Sequence, residues 1–365
     1  MIYVDHGATS YPKPAAVSRA VLKALQTCAN PGRGGHSPSM AAARAVYACR
    51  ERAGELFECR PEQVVLTNNC THGLNIAIHT LVKPGSRVVI SGFEHNAVTR
   101  PLHTLDADIT VAGRCLFDWE DTLTAFEKAL QQGQNAAIFT HVSNVFGYIL
   151  PVEEMAALCR QYGVPFVVDA AQSAGSLPVS LDKWGADFIA MPGHKGLLGP
   201  QGTGLLLCSK DAEPLLQGGT GGDSISQNMP RELPERLEAG TVNVPGAAGL
   251  EAGMAQVQKE GLATIAHKEH TQVSLCTEAL QKMGFRVFSG VHQAGTLSFV
   301  PAEDCEELAR KLAGRGVCVR AGLHCAPLAH ESAGTLQTGT VRVSFGHTAE
   351  TRQTEGFLRA LKSLI

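Results

Sequence analysis

The chain has 365 residues, 44% hydrophobic and 18% charged, with a formal net charge of -3. That length can bury a core large enough for two lobes, and the charge balance leaves no basic footprint for nucleic acid. No apolar stretch reaches membrane-spanning length, no signal-peptide pattern opens the chain, and eleven cysteines without C-x-x-C spacing fit a reducing cytoplasm.

In chain order, strand-like and helix-like stretches alternate, as in α/β folds built on a mainly parallel sheet. Residues 64–67 read as a strand and 71–82 as a helix that stops before Pro84-Gly85. A strand at 87–91, a helix at 121–132 and a strand at 136–142 follow. Residues 152–162 predict a helix ended by Gly163, before a buried strand that closes on Asp169. Residues 188–191 and 202–208 read as strands, and 217–222 and 223–238 as loops. Beyond Pro245 the pattern gives one long helical segment, 247–283, then strands at 286–288 and 295–300. A helix at 304–313, strands at 317–320 and 340–345, and a closing helix from Thr348 complete the chain. We read a large unit over 16–245 and a smaller α+β lobe made of 1–15 with 246–365.

The segment Met191-Pro192-Gly193-His194-Lys195-Gly196 carries the most chemistry. It sets a lysine just past one strand end, while Asp169 closes the strand before it. Pyridoxal 5'-phosphate requires that pair. Its aldehyde takes a lysine, and its ring nitrogen takes an acid that keeps it protonated, so the ring drains electrons from the substrate carbon. Away from water and beside a cationic group, the Lys195 amine loses basicity and can carry a proton. Asn69-Cys70-Thr71-His72-Gly73 opens the helix at 71–82. Free N–H groups at such an end favour a phosphate, although Asn69 and Thr71 also fit plain helix capping. His194 is the other donor at hand.

Tyr3-Val4-Asp5-His6-Gly7-Ala8-Thr9, Glu94-His95-Asn96-Ala97, Val168-Asp169-Ala170-Ala171-Gln172 and Gly193-His194-Lys195 together resemble the class V aminotransferase-type enzymes. Within that class, Arg320-Ala321-Gly322-Leu323-His324-Cys325 followed by Val341-Arg342-Val343-Ser344 resembles the cysteine desulfurases and selenocysteine lyases. The resemblance implies the fold-type-I architecture of pyridoxal phosphate enzymes, a large domain with a mainly parallel sheet flanked by helices plus a small α+β domain.

It also implies roles. Lys195 carries the cofactor, Asp169 meets its ring nitrogen, Gln172 its phenolic oxygen, and His95 stacks on its face and assists proton transfer. Thr71 meets the phosphate, and Thr241 reaches the phosphate of a partner subunit, which makes the enzyme a homodimer. Asn144 contacts the phenolic oxygen and the substrate carboxylate. Arg342 holds that carboxylate through a bidentate fork, with Arg320 as a second anchor, although both also fit ordinary salt bridges. Cys325 attacks the sulfur of bound L-cysteine, leaving a persulfide on the enzyme and releasing alanine.

An unperturbed thiol titrates at about 8.5, so cations nearby would help, and Arg320 and His324 are close in sequence. The polar run 329–339 suggests a mobile loop that carries sulfur to an acceptor protein. His324, Cys325 and His330 fit no standard zinc spacing.

Three departures stand out. Pro192 replaces a frequent Ser or Thr, which removes a hydroxyl and a backbone donor from the phosphate cup. His6-Gly7 replace Asn-Ala, and Asn69-Cys70 sit where Gly-Thr is frequent. A cysteine desulfurase is the leading function. A selenocysteine lyase is the near alternative, and an aminotransferase or epimerase without sulfur chemistry the more distant one.

Overall fold

The computed structural model describes residues 1–32, 34–221 and 225–365, so the loop assignments at 222–224 lie outside the described residues. The strands are β1 (Ile2–Tyr3), β2 (Val64–Thr67), β3 (Arg87–Ser91), β4 (Asp108–Ala112), β5 (Ala136–Thr140), β6 (Phe166–Asp169), β7 (Phe188–Pro192) and β8 (Gly204–Cys208). They continue with β9 (Arg286–Phe288), β10 (Thr296–Val300), β11 (Val317–Cys318), β12 (Arg320–Gly322) and β13 (Thr340–Ser344). The helices are α1 (Ala15–Thr27), α2 (Ser37–Phe57), α3 (Cys70–Leu81), α4 (Asn96–Thr104), α5 (Trp119–Gln131) and α6 (Val152–Tyr162). After these come α7 (Leu181–Trp184), α8 (Val244–Glu260), α9 (Leu262–Lys282), α10 (Cys305–Gly314), α11 (Pro327–Ala333) and α12 (Thr351–Lys362).

A seven-stranded sheet runs β2-β8-β7-β6-β5-β3-β4. Its ladders are parallel from β7 through β6, β5 and β3 to β4, while β8 runs antiparallel to both β7 and β2. Consequently β2 and β7 point the same way, and six strands deliver their C-terminal ends to one edge. The central strands AAIFT, FVVD and FIAMP are apolar up to the Thr140 and Asp169 that close the first two, and every residue in them is buried. A parallel sheet covered by helices on both faces demands that composition.

The smaller lobe holds the antiparallel sheet β12-β13-β10-β9. The N-terminal arm docks on it: β1 pairs with β11, and Asp5 bridges to Ser344. Val4, Leu297, Phe299, Val341 and Phe357 lie in a separate apolar cluster there. Among the described residues, no helix is long and apolar enough to cross a membrane, and no group of three His, Cys, Asp or Glu residues is placed to hold a metal.

Four expectations need correction. The single helix at 247–283 is two, because Gly261, at φ +85°, ends α8 and redirects the chain into α9. Val244, Ala247, Leu250 and Met254 of α8 share the apolar cluster of the large sheet, so this helix packs with the large lobe although it follows position 245. The strand at 317–320 divides, with β11 pairing the N-terminal arm and β12 pairing β13. The run 329–339 is not loop throughout: α11 occupies its start, with Ala326, Ala329 and His330 fully buried.

Candidate active site

The parallel strands end on a cleft of about 630 Å³, at the edge where open α/β sheets place their ligands. Asn69, Cys70, Thr71, His95, Asn144, Asp169, Gln172, His194 and Lys195 all line it, as does Pro192. Asp169 closes β6, and Lys195 follows β7 by three residues. The glycines beside Lys195 let two loops approach closely, since a Cβ on Gly196 would lie 2.3 Å from the Ala174 carbonyl.

Asp169 Oδ1 accepts from the Ala171 amide at 2.9 Å and from Cys70 Sγ at 3.3 Å, which leaves Oδ2 unused by any described residue. Burial and the Asp169 carboxylate hold the Cys70 thiol well above its ordinary range, so it stays a neutral donor. Lys195 Nζ has no hydrogen-bond or ion-pair partner among the described residues. Burial lowers its pKa, and the Arg342 guanidinium lowers it further. His95 caps α4: its Nδ1 accepts from the Ala97 amide at 3.0 Å. The proton of the neutral ring therefore sits on Nε2, and burial favours that neutral form.

Two predicted groups serve the fold as well. Asn69 caps α3 by accepting from the His72 amide at 2.9 Å. Gln172 Nε2 donates to the Gly7 carbonyl at 3.1 Å. The His194 carbonyl gathers the N-terminal arm, accepting from the Ser10 amide at 3.1 Å and from Lys13 Nζ at 2.5 Å, and burial pushes the His194 imidazole down to about 4.

Cys325 stands outside this cleft, exposed, in an adjoining groove that shares Thr71, His95 and Ala97 with it. His324 does not supply the cation expected beside that thiol. Its ring turns inward to the Thr340 carbonyl and hydroxyl, at 3.2 and 3.1 Å, and burial pushes it down to about 2. Arg320 is engaged elsewhere, on Asp5. Thr241 lies in a separate cavity with Thr67, Asn68 and His72, outside the Lys195 cleft of its own chain.

Arg342 is 2% exposed and does not line the cleft directly. Its Nη2 donates to Asp5 Oδ1 at 2.9 Å and its Nη1 to the Asn144 carbonyl at 2.9 Å, while its Nε is buried without a partner. Arg320 Nη2 reaches Asp5 Oδ2 at 3.1 Å, but 51% of its side chain is exposed.

Sequence reasoning missed Asp5 as the junction of both arginines. It lies in the N-terminal Tyr3-Val4-Asp5-His6-Gly7 stretch, but nothing local marks a partner 337 residues away. The two pairs should differ sharply in worth. Asp5→Ala leaves a buried cation uncompensated and should cost about 3–5 kcal/mol of stability. Arg320→Ala breaks an exposed pair and should cost at most ~1 kcal/mol. Urea unfolding of both variants checks this, and equal losses would refute the ranking.

Burial also sets a pH window. His6, His141 and His330 are held down to about 4 and His324 to about 2, whereas Glu94 and Glu269 are pushed up to about 8, in each case chiefly by burial. Unfolded histidines take up protons near 6.5 that the folded chain refuses, so stability falls as pH drops from there. The glutamates act oppositely. Folded, they keep protons that the unfolded chain loses above 4.5, so their contribution declines as pH rises towards 8. Below 6.5 the histidines outnumber them, between 6.5 and about 8 the glutamates act, and above that the lowered Lys13 acts in the opposite sense. Urea-unfolding free energy should therefore peak near pH 6.5, and Glu269→Gln should flatten the alkaline limb.

The aminotransferase class-V family model matches residues 2–357. A Pyrococcus abyssi protein named "Probable cysteine desulfurase" is 32% identical over 383 aligned positions, covering 100% of this chain and 94% of its own length. A Methanothermobacter thermautotrophicus protein of the same name is also 32% identical, covering 94% of this chain and 89% of itself. The apo structure of a cysteine desulfurase from Thermococcus onnurineus superposes with a TM-score of 0.93 at 33% identity, covering 100% of this chain and 94% of that one.

Proposed function

Because the chain belongs to the aminotransferase class-V family, and within it to the cysteine desulfurases, we propose that it converts L-cysteine to L-alanine and takes the sulfur onto Cys325. The single observation that carries this reading is the joining of the Lys195–Asp169 cleft to the Cys325 groove through Thr71, His95 and Ala97.

The residues present fit pyridoxal 5'-phosphate. Among the described residues nothing uses Asp169 Oδ2 or Lys195 Nζ, and none partners the buried Asn144 Oδ1. When bound, this cofactor supplies an electron sink for the substrate α-carbon. Asp169 would hold the ring nitrogen and Lys195 the aldehyde carbon. The α3 N-terminus, Thr71 and His194 would hold the phosphate, with Thr241 of each chain serving the site of a partner copy in a homodimer. Pro192 brings neither a hydroxyl nor a backbone N–H to that cup, so the remaining groups carry the anion.

Lys195 takes and returns the α-proton, a role suited to an amine whose basicity is lowered. His95 presents Nε2–H towards the reacting atoms. Arg342, with Arg320 beside it, would draw the α-carboxylate by exchanging its contact with Asp5 for it, since its Nη2 is held by Asp5 and its Nη1 by the Asn144 carbonyl, which leaves no free fork. The Cys325 thiolate forms a bond to the substrate sulfur as the carbon–sulfur bond breaks. The electron pair of that bond stays on carbon and is protonated to give the methyl group of alanine. The persulfide then passes to an acceptor thiol on another protein.

The test is incubation of the loaded enzyme with L-cysteine and with L-selenocysteine, assaying alanine, sulfide and selenide. Alanine from cysteine together with a sulfur mass added on the Cys325 peptide is expected. Loaded enzyme that makes no alanine from cysteine would sink the reading, and a far higher kcat/KM for selenocysteine would make it a lyase.

A further inference from the structure

Asn144 is where three parts of the site meet. Its backbone carbonyl accepts from Arg342 Nη1 at 2.9 Å. Its Nδ2 donates to the carbonyl of His324 at 2.7 Å. Its Oδ1 is buried with no partner among the described residues, and the side chain lines the Lys195–Asp169 cleft. The contact with His324 fixes the amide, because a carbonyl oxygen accepts and only Nδ2 can face it. Oδ1 is therefore left for whatever fills the cleft.

The carbonyl that Asn144 holds belongs to the peptide joining His324 to Cys325. Both residues are in the left-handed region, at φ +50° and +56°. Side chains other than glycine adopt that conformation only when the surroundings enforce it. Here the enforcement can be named. The Asn144 amide grips the first carbonyl, and the Asn96 amide donates to the Cys325 carbonyl at 2.7 Å. The His324 ring is anchored on Thr340 at 3.1 Å. The Cys325 thiol itself has no hydrogen bond among the described residues. The backbone is pinned while the sulfur is free.

We propose that Asn144 is a latch that seats Cys325: its Nδ2–H holds the 324–325 peptide in its left-handed turn, while its Oδ1 reads the occupant of the cleft, so that filling the cleft and aiming the thiol are coupled. This rests on the reading of Cys325 as the sulfur-accepting residue. Asn144 is in this respect a positioning residue for Cys325. The backbone link to Arg342 ties the substrate-carboxylate end of the site to the same point. A ligand that shifts Asn144 is thereby sensed at Arg342 and at Cys325 together.

The test uses holoenzyme without substrate. Asn144→Asp keeps an acceptor towards the cleft and removes the donor that holds His324. Thr340→Val removes the hydroxyl contact of the His324 ring, leaves its contact with the Thr340 carbonyl, and does not touch the cleft. Both should speed iodoacetamide alkylation of Cys325 and deuterium exchange of the peptide spanning 323–327, by roughly fivefold for the donor variant, the worth of one hydrogen bond. Adding L-alanine to fill the cleft should change the alkylation rate of wild type and leave that of Asn144→Asp unaltered. Near-ultraviolet circular dichroism and cofactor absorbance identify any variant that has not folded, and the response of wild-type alkylation to L-alanine then decides, since an unchanged rate would overturn the coupling. Wild-type alkylation and exchange rates in both variants would overturn the latch. Full alanine production by Cys325→Ala would overturn the sulfur-acceptor reading instead, and these rates would be unaffected by that result.

Discussion

Lys195→Ala should abolish the covalent, borohydride-fixable attachment of pyridoxal phosphate to the chain, and alanine formation from cysteine should fall on the order of 10⁴-fold. Two losses combine. The variant has no amine to hold the cofactor aldehyde, and it has no group to carry the α-proton. The structure leaves no substitute in place. His194 is adjacent in sequence, but its ring nitrogen is on Thr9 and burial keeps it neutral. Lys13, whose amine sits on Ser10 and the His194 carbonyl, belongs to the N-terminal arm. Mass spectrometry after reduction checks the first loss. Cofactor mass still fixed to the variant chain would remove Lys195 from its assigned role. Added methylamine should restore part of the proton transfer without restoring attachment, which separates the two.

Cys325→Ala should lower sulfide transfer from cysteine by about three orders of magnitude, ~4 kcal/mol of transition-state stabilisation, while cofactor loading stays at the wild-type level. The exposed thiol lies in the groove and makes no contact that loading requires. His324 is neutral and turned inward and Arg320 is occupied by Asp5, so neither is placed to stabilise a thiolate at position 325. Selenocysteine needs the attacking thiol less, because selenium leaves more readily, and selenide release should survive the substitution. Equal retention of both activities would place the sulfur acceptor elsewhere.

Much of this molecule was legible in the order of its residues, for physical reasons that can be assigned. The boundaries at 64–67, 87–91 and 152–162 were read as they stand because buried strands are continuous apolar runs, and Gly163 supplies a left-handed helix end. The Lys195–Asp169 pairing was legible because each residue sits at its own strand end, and parallel strands bring those ends together.

What stayed hidden has equally definite causes. Helix α4 contains Pro101, which reads as a breaker. Helices α1 and α2 expose Leu22, Leu25, Met40 and Tyr47, which blurs their apolar faces. Gly261 interrupts two helices whose combined pattern looks continuous. The Asp5–Arg342 pair, the turning of His324 away from Cys325 and the grip of Asn144 on the 324–325 peptide are tertiary. No spacing rule reaches across 180 or 337 residues.

The N-terminal arm has a consequence for how the protein is born. Asp5 can meet Arg342, and Gly7 can meet Ser344, only once the last strand has been synthesised. A nascent chain carries its large lobe and lysine through most of translation with the arm unattached. The contacts of Arg320 and Arg342 with Asp5 are therefore made among the final events of maturation, and a bulky fusion ahead of Ile2 would press on that closing stitch.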